Sequence, residues 1–213
     1  PSYDGSYWCE SVPDGRRSWL EGNLSAPDRK GNKSLTELVQ NIDQGSSQSS
    51  SKNADSADIS QLLWAAKGRT PHYYKSKPWG MTIPVSRGLQ HRTSMHLFFS
   101  GRLFQYSNWK NGKPTHQLEE ISRHANSPPF LWENKKSDHN CCIFISCNER
   151  TDRAFWEVGF QLINIILQAK TLSIDINPYL VNHEMREELK TMGIEDAWAI
   201  VSMRIQNVNL LNA

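Results

Sequence analysis

Four polar residues interrupt the otherwise apolar segment "AFWEVGFQLINIILQA", Ala154 to Ala169. Glu157, Gln161, Asn164 and Gln168 follow one another at steps of four, three and four, which return to one side of an α-helix. One carboxylate and three amides therefore form a single stripe of donors and acceptors on a greasy helix. If buried, each group must be met, or it costs on the order of 1–3 kcal/mol. Three arrangements would meet them. The stripe bonds backbone of its own chain, or it faces its own copy across a two-fold axis, with Gly159 permitting close approach, or it borders a polar cofactor. The pattern by itself leaves all three open.

Other reactive side chains give weaker signals. Cys9, Cys141, Cys142 and Cys147 form no C-x-x-C pair and, with the histidines, no zinc spacing. "CCIFISC" reads as a buried strand in which cysteine acts as a small hydrophobe. Reduced structural thiols are expected, which favours a cytoplasmic setting. His91 and His96 are five apart, a spacing that suits chelation from neither a helix face nor a strand face, so both are read as non-ligands. A hydrolase is disfavoured because no Ser/His/Asp or G-x-S-x-G signature is present. Trp64, Trp156 and Trp198 are expected in the core, while Trp79, Trp109, Tyr73 and Tyr74 are assigned to loops.

The elements that must position these groups follow from pattern. The 213 residues can bury a core and read as one domain, 1–213. A net charge of +2 is too small to imply a nucleic-acid or membrane-surface partner, and no apolar run reaches the roughly 20 residues of a membrane span. The opening to Asn32 reads as extended chain and turns. "SLTELVQNI" begins with a capping box made by Ser34 and Glu37. "QGSSQSSSKNADSAD" has no large apolar anchor, so 44–57 is expected to be a mobile loop. "ISQLLWAAKG" is a helix ended by Gly68. "SMHLFFSGRLFQYS" is a hairpin about Ser100-Gly101, and "HQLEEISRH" is a short helix. A strand over 141–147 precedes the long helix, about 152–171. "NHEMREELKTMG" is an amphipathic helix capped by Asn182 and stopped by Gly193. "DAWAIVSMRI" closes the chain as a strand. Strands mixed with helices around one dominant helix give an α+β sandwich.

These segments, in this order, resemble the FMN-dependent nitroreductase superfamily, and within it the SagB-type dehydrogenase branch. "PDGRRSW" is similar to that branch's Arg-Arg-Ser opening. "SQLLWAAKGRT" is similar to its Leu-Leu-Trp-Ala-Ala-x-Gly helix. "SRGLQHRTSMHLFF" resembles its Ser-Ala-Gly-Ala segment and following strand, and "GRLFQYSNWKNGKPTHQLEEI" its hairpin and helix. "WEVGFQLINIILQA" looks like its central Glu-x-Gly-x-x-x-Gln-Asn-x-x-Leu-x-Ala helix. The resemblance implies a nitroreductase-like mixed sheet sandwiched by helices, with a long central helix. It implies an intertwined homodimer with FMN at the interface, and a polar stripe that meets the partner chain.

What the resemblance implies for single residues is carried by position. Arg16 and Ser18 match an Arg-x-Ser phosphate-binding pattern, and a guanidinium fork beside a hydroxyl suits a phosphate; Leu20 stands where the pattern has a further cation. Ser86 and Gly88 match residues that the partner subunit lays against the flavin ring, with Arg87 in place of a small residue between them. Ser173 replaces a glycine of the turn after the central helix. The implied cofactor-binding set is Arg16, Ser18, Ser86, Gly88, Asn164, Ser173 and Arg204. Two functions are compatible with scaffold motifs that are kept and cofactor motifs that have changed. One is an FMN oxidoreductase running a ping-pong hydride transfer, with a nicotinamide donor and a small-molecule substrate in an interface pocket. The other is a non-catalytic dimeric scaffold or binding protein of the same fold.

Overall fold

Successive side chains of a strand point to opposite faces of its sheet, and this chain fills both faces. A computed structural model describes residues 22–25, 27–28, 52–70, 73–74, 77–78, 80–85, 91–123 and 139–206. Its elements are α1 (Ser56–Lys67), β1 (Tyr73–Tyr74), β2 (Lys77–Pro78), β3 (Thr93–Phe99), β4 (Arg102–Lys110), β5 (Lys113–Arg123), β6 (Cys141–Cys147), α2 (Asp152–Leu172), β7 (Ile176–Leu180), α3 (His183–Thr191) and β8 (Ala197–Met203). The main sheet has the order β5-β4-β3-β6-β8-β7, and every named pair in it is antiparallel. Parallel pairing enters through the bridges Lys52↔Ile174 and Ala54↔Ile205.

On one face, Met95, Leu97, Ile143, Ile145, Val201 and Met203 pack with Leu62, Leu63, Val158 and Ile165 of α1 and α2. On the other, Phe98, Phe144 and Ile200 pack with Leu189 of α3. The sheet is therefore sandwiched, and β6 is buried at all seven positions. That explains why "CCIFISC" lacks polar alternation. Cys141, Cys142 and Cys147 are free thiols, and burial raises the pKa of each.

Three expectations are corrected. Residues 116–123 of "HQLEEISRH" do not form a helix; they belong to β5. The cause is the turn before it. Asn111 and Gly112 both have positive φ, 51° and 79°, the left-handed pair that a two-residue hairpin turn requires. Lys110 then pairs with Lys113 and Trp109 with Pro114. Trp109 and the Tyr73–Tyr74 pair likewise lie in strands, not loops. Trp156, expected in the core, is 65% exposed.

Part of the expected loop 44–57 is held by backbone. Residues 44–51 lie outside the described set, as do the segment "SLTELVQNI" expected to start a helix at Ser34, Cys9 and Trp79. From Lys52 onward the chain is pinned: Lys52 N–H donates to Ser173 O, Ala54 N–H to Arg204 O, and Gln206 N–H to Ala54 O, at 3.0, 2.9 and 3.0 Å. Ala54 is fully buried. Asp55 and Asp58 then form a reciprocal capping box that starts α1. A composition without apolar anchors does not reveal anchoring by main-chain hydrogen bonds.

A buried polar chain ties α1 to the hairpin β4–β5. Ser60 Oγ donates to Ser25 O at 2.8 Å and lies 2.8 Å from His116 Nε2. Having spent its proton, the hydroxyl accepts from Nε2–H, which leaves Nδ1 as the acceptor for the Tyr106 hydroxyl at 2.8 Å. Ser60, Tyr106 and His116 are each at most 2% exposed, so the arrangement is a structural brace sealed from any substrate. Tyr106→Phe strands the Nδ1 acceptor and is expected to lower stability by about 1–3 kcal/mol, read from urea unfolding. No change in midpoint would show that the brace contributes nothing.

Candidate functional site

The last turn of α1 is closed in a way that only glycine allows. A Cβ on Gly68 would lie 2.3 Å from Trp64 Cδ1 and 2.5 Å from Trp64 O. Around this turn the backbone is held from three sides. Gly68 N–H donates to Trp64 O at 2.6 Å, Trp64 Nε1 to Arg69 O at 2.8 Å, and Asn108 Nδ2 to Lys67 O at 2.6 Å. Lys67 is buried, and its Nζ donates to Thr93 O at 2.5 Å. The Arg69 guanidinium lies over the Trp109 ring, 4.6 Å from its centroid. Between these elements opens a cleft of about 420 Å³, lined by Lys67, Arg69, His91, Thr93, Asn108 and Trp109 together with Ser94 and Asn148.

The electrostatics follow from burial. Burial lowers Lys67 to about 8, with the Glu157 carboxylate pulling it back up and Arg69 pushing it down. Burial also lowers His91 to about 2 and His96 to about 4, with Lys67 adding to both. Both imidazoles are neutral near pH 7, so the 3.8 Å approach of His91 Nδ1 to Glu157 Oε2 is not an ion pair. Glu157 Oε2 instead accepts the Arg92 amide at 2.7 Å. Several buried atoms have no hydrogen-bond partner among the described residues: both ring nitrogens of His91, Thr93 Oγ1, His96 Nδ1 and both amide atoms of Gln161.

The polar stripe of α2 faces its own chain. Glu157 and Gln161 are 2% and 0% exposed, and Asn164 Nδ2 donates to Ala65 O at 3.0 Å and Thr82 O at 3.3 Å. The stripe, expected to meet a partner subunit, is covered within its own chain: Glu157 accepts the Arg92 amide and Asn164 bonds the α1 junction, while the Gln161 amide is buried with neither atom partnered among the described residues. The surface left open is apolar. Trp156, Phe160 and Ile163 are 65%, 43% and 42% exposed, and a Cβ on Gly159 would meet nothing within 4 Å.

The residues expected at a cofactor fall into separate places. Arg16, Ser18, Ser86 and Gly88 lie outside the described residues, as do Leu20 and Arg87. Asn164 is committed to the α1 junction. Ser173 adopts the left-handed conformation, φ 58°, as the C-cap of α2, and its carbonyl accepts from Lys52 N–H at 3.0 Å, as the exposed Arg204's carbonyl does from Ala54 N–H at 2.9 Å. The segment from Lys52 to Ala54 thus draws Ser173 and Arg204 to one edge. Asn164 is nine residues earlier on α2, roughly 13 Å along its axis. Sequence reasoning missed Lys67, Arg69 and Thr93. The available signal was a lysine and an arginine flanking the glycine that ends an apolar helix.

No family profile matches the chain, and no curated protein matches it. Solved structures do. A nitroreductase-like protein of Ralstonia eutropha superposes with a TM-score of 0.59 at 15% identity, covering 93% of this chain and 94% of that one. The fold is nitroreductase-like. A second such protein, from Anabaena variabilis, superposes with a TM-score of 0.55 at 12% identity over 87% of this chain and 41% of that one. Identities at this level transmit the nitroreductase-like architecture and leave the chemistry to the residues. Among the described residues no His, Cys, Asp and Glu side chains gather into a group of three that could hold a metal ion, and no helix is long and apolar enough to cross a membrane.

The buried histidines set a pH dependence. His96 and His116 have folded-state pKa values of about 4 against 6.5 for the free group. Between those values the unfolded chain binds more protons, so stability present above pH 6.5 is lost as pH falls toward 4. Each histidine is expected to remove roughly 2 kcal/mol between pH 6.5 and pH 5. Urea unfolding at pH 7 and pH 5 measures this; equal stabilities would show that the imidazoles are protonated in the folded chain.

Proposed function

We propose that this protein is an FMN-dependent oxidoreductase of the nitroreductase type, of the SagB-type branch, that works as a homodimer. The observation that carries the reading is the open apolar face of α2. Trp156, Phe160 and Ile163 stand exposed beside Gly159 on a helix whose opposite side is buried. Water contact on that face is costly, and a second copy laid against it would bring its own Ser86 and Gly88 to the site.

The side chains present fit the cofactor. Gln161 carries a buried amide with neither atom partnered, one turn before Asn164, and the edge of a flavin offers alternating donors and acceptors. Asn164 and the Ser173–Arg204 pair are separated by roughly 13 Å of helix, so one small group cannot reach both, whereas an elongated one with a ring and a phosphate can. In this reading Arg16, Ser18 and Arg204 hold the phosphate through charge-assisted hydrogen bonds. Asn164 fixes the α1 junction that borders the ring, and the Ser173 turn directs the chain past it. Bound FMN supplies hydride transfer in a ping-pong cycle with a reduced nicotinamide donor. The protein's part is to bind, orient and exclude water; its substrate is a small molecule in the interface pocket.

Two measurements test this. Purified protein titrated with FMN is expected to take up the flavin and to be bleached by a reduced nicotinamide, and Arg16→Ala is expected to weaken FMN by about 1.5–3 kcal/mol. A protein that stays colourless in excess FMN would overturn the reading. Light scattering is expected to give twice the chain mass of 24.4 kDa, and Phe160→Asp to shift it toward that of one chain. A wild-type protein at the mass of one chain would remove the homodimer.

A further inference from the structure

Two side chains that line the cleft at the end of α1 are buried with their polar atoms unmet. The His91 side chain is 2% exposed and Thr93 is 1% exposed, and both line the cleft. Among the described residues, neither ring nitrogen of His91 nor the Thr93 hydroxyl has a hydrogen-bond partner. The polar groups around them are engaged. Asn108 Nδ2 donates to Lys67 O, Ser94 Oγ donates to Asn148 Oδ1 at 2.7 Å, Lys67 Nζ donates to Thr93 O, and Arg69 lies over Trp109. Buried polar groups of a folded protein are met by a partner, and here the open side is a cleft large enough to hold one.

The chemistry of that partner follows from the imidazole. Burial holds His91 neutral, so it carries one N–H and one lone pair. Its Nδ1 lies 3.8 Å from Glu157 Oε2. A carboxylate repels a lone pair and attracts an N–H, so the proton sits on Nδ1 and Nε2 is the acceptor. The partner must bring a donor to Nε2. The Thr93 hydroxyl has a proton to give, so the partner must also bring an acceptor. A carboxylate supplies acceptors alone. It would face the Nε2 lone pair, or force the tautomer that turns the Nδ1 lone pair on Glu157. An alkylammonium supplies donors alone and would sit beside Lys67 and Arg69. A carboxamide carries an N–H and a carbonyl oxygen side by side and no charge. The receiving groups are also held in place beforehand. Thr93 pairs with Cys147 in the sheet, and Arg92, between His91 and Thr93, gives its amide to Glu157 at 2.7 Å and accepts Asn148 N–H at 2.8 Å. Preorganisation of this kind favours binding.

We propose that this cleft binds a small carboxamide, whose N–H donates to His91 Nε2 and whose carbonyl oxygen accepts from the Thr93 hydroxyl. Its volume of about 420 Å³ suits a molecule of modest size. Neither FMN nor a second copy of the chain is needed for this binding, so it stands apart from the redox reading.

Benzamide is the probe. Acetophenone has nearly its shape and keeps the carbonyl but has no N–H, and benzoate has two acceptors and a charge. Isothermal titration at pH 7 on the whole chain is expected to show saturable benzamide binding, with acetophenone and benzoate each at least ten-fold weaker. His91→Phe is expected to weaken benzamide ten-fold or more. Thr93→Val keeps the shape and removes the hydroxyl, and is expected to weaken it several-fold while circular dichroism is unchanged. Should His91→Phe fail to fold, Thr93→Val and the three ligands on the unaltered chain carry the test. Absence of saturable benzamide binding, acetophenone or benzoate binding as tightly as benzamide, or unchanged affinity in the folded variants would overturn the proposal. So would displacement of benzamide by FMN, which would make the cleft the flavin's own pocket.

Discussion

A carboxylate cannot be buried in an apolar helix without groups to meet it, and Glu157 is that carboxylate. It is 2% exposed on α2. Its compensation comes from the Arg92 amide at 2.7 Å and from the positive charge of Lys67. One point therefore requires the end of α1, the entry to β3 and the first half of α2 to converge. Lys67 then donates to Thr93 O, and two turns further along α2 Asn164 grips Ala65 and Thr82. Removing one member of such a set leaves the others buried and unmet, which costs far more than the set contributes when complete.

The convergence also makes the cleft. Because Lys67 is held by Glu157 and Thr93, and Arg69 is held over Trp109, two like charges are kept close together in a low-dielectric wall. Neutral His91 and His96 follow from the same crowding, since a further proton there would add to charges already present. Burial and like-charge proximity act in the same direction on Lys67, His91 and His96.

Most of the sandwich was legible in the sequence, and the reasons are specific. α2 announced itself by its apolar length and polar stripe, α3 by its period and the Asn182 cap, and "CCIFISC" by a run too short for a helix and apolar on both faces. β5 was misread because Leu118 and Ile121 are spaced like a helical pair, while the Asn111-Gly112 turn that dictates a hairpin was overlooked. The stripe on α2 was legible as a stripe. What it faced was not, because the answer depends on α1, about a hundred residues away in sequence. Lys67 and Arg69 escaped notice for a related reason: locally they look like a helix-end cation and a loop charge. Only the fold brings Thr93 and Trp109 to them. The residues matched to a phosphate or flavin by motif, Arg16, Ser18, Ser86 and Gly88, remain assignments of pattern.

The order of the sheet has a kinetic side. β6 lies between β3 and β8, and its registers join Thr93 to Cys147 and Cys141 to Met203. Each seam spans some fifty residues of chain, so the central ladder gains nothing from local hairpin closure. Such long-range pairing slows folding. During synthesis the β3–β4–β5 meander can form on its own, while β6 waits with one edge unpaired until the last strand emerges. For that interval the most apolar strand of the molecule presents a bare edge, and the fold's own topology sets how long the exposure lasts.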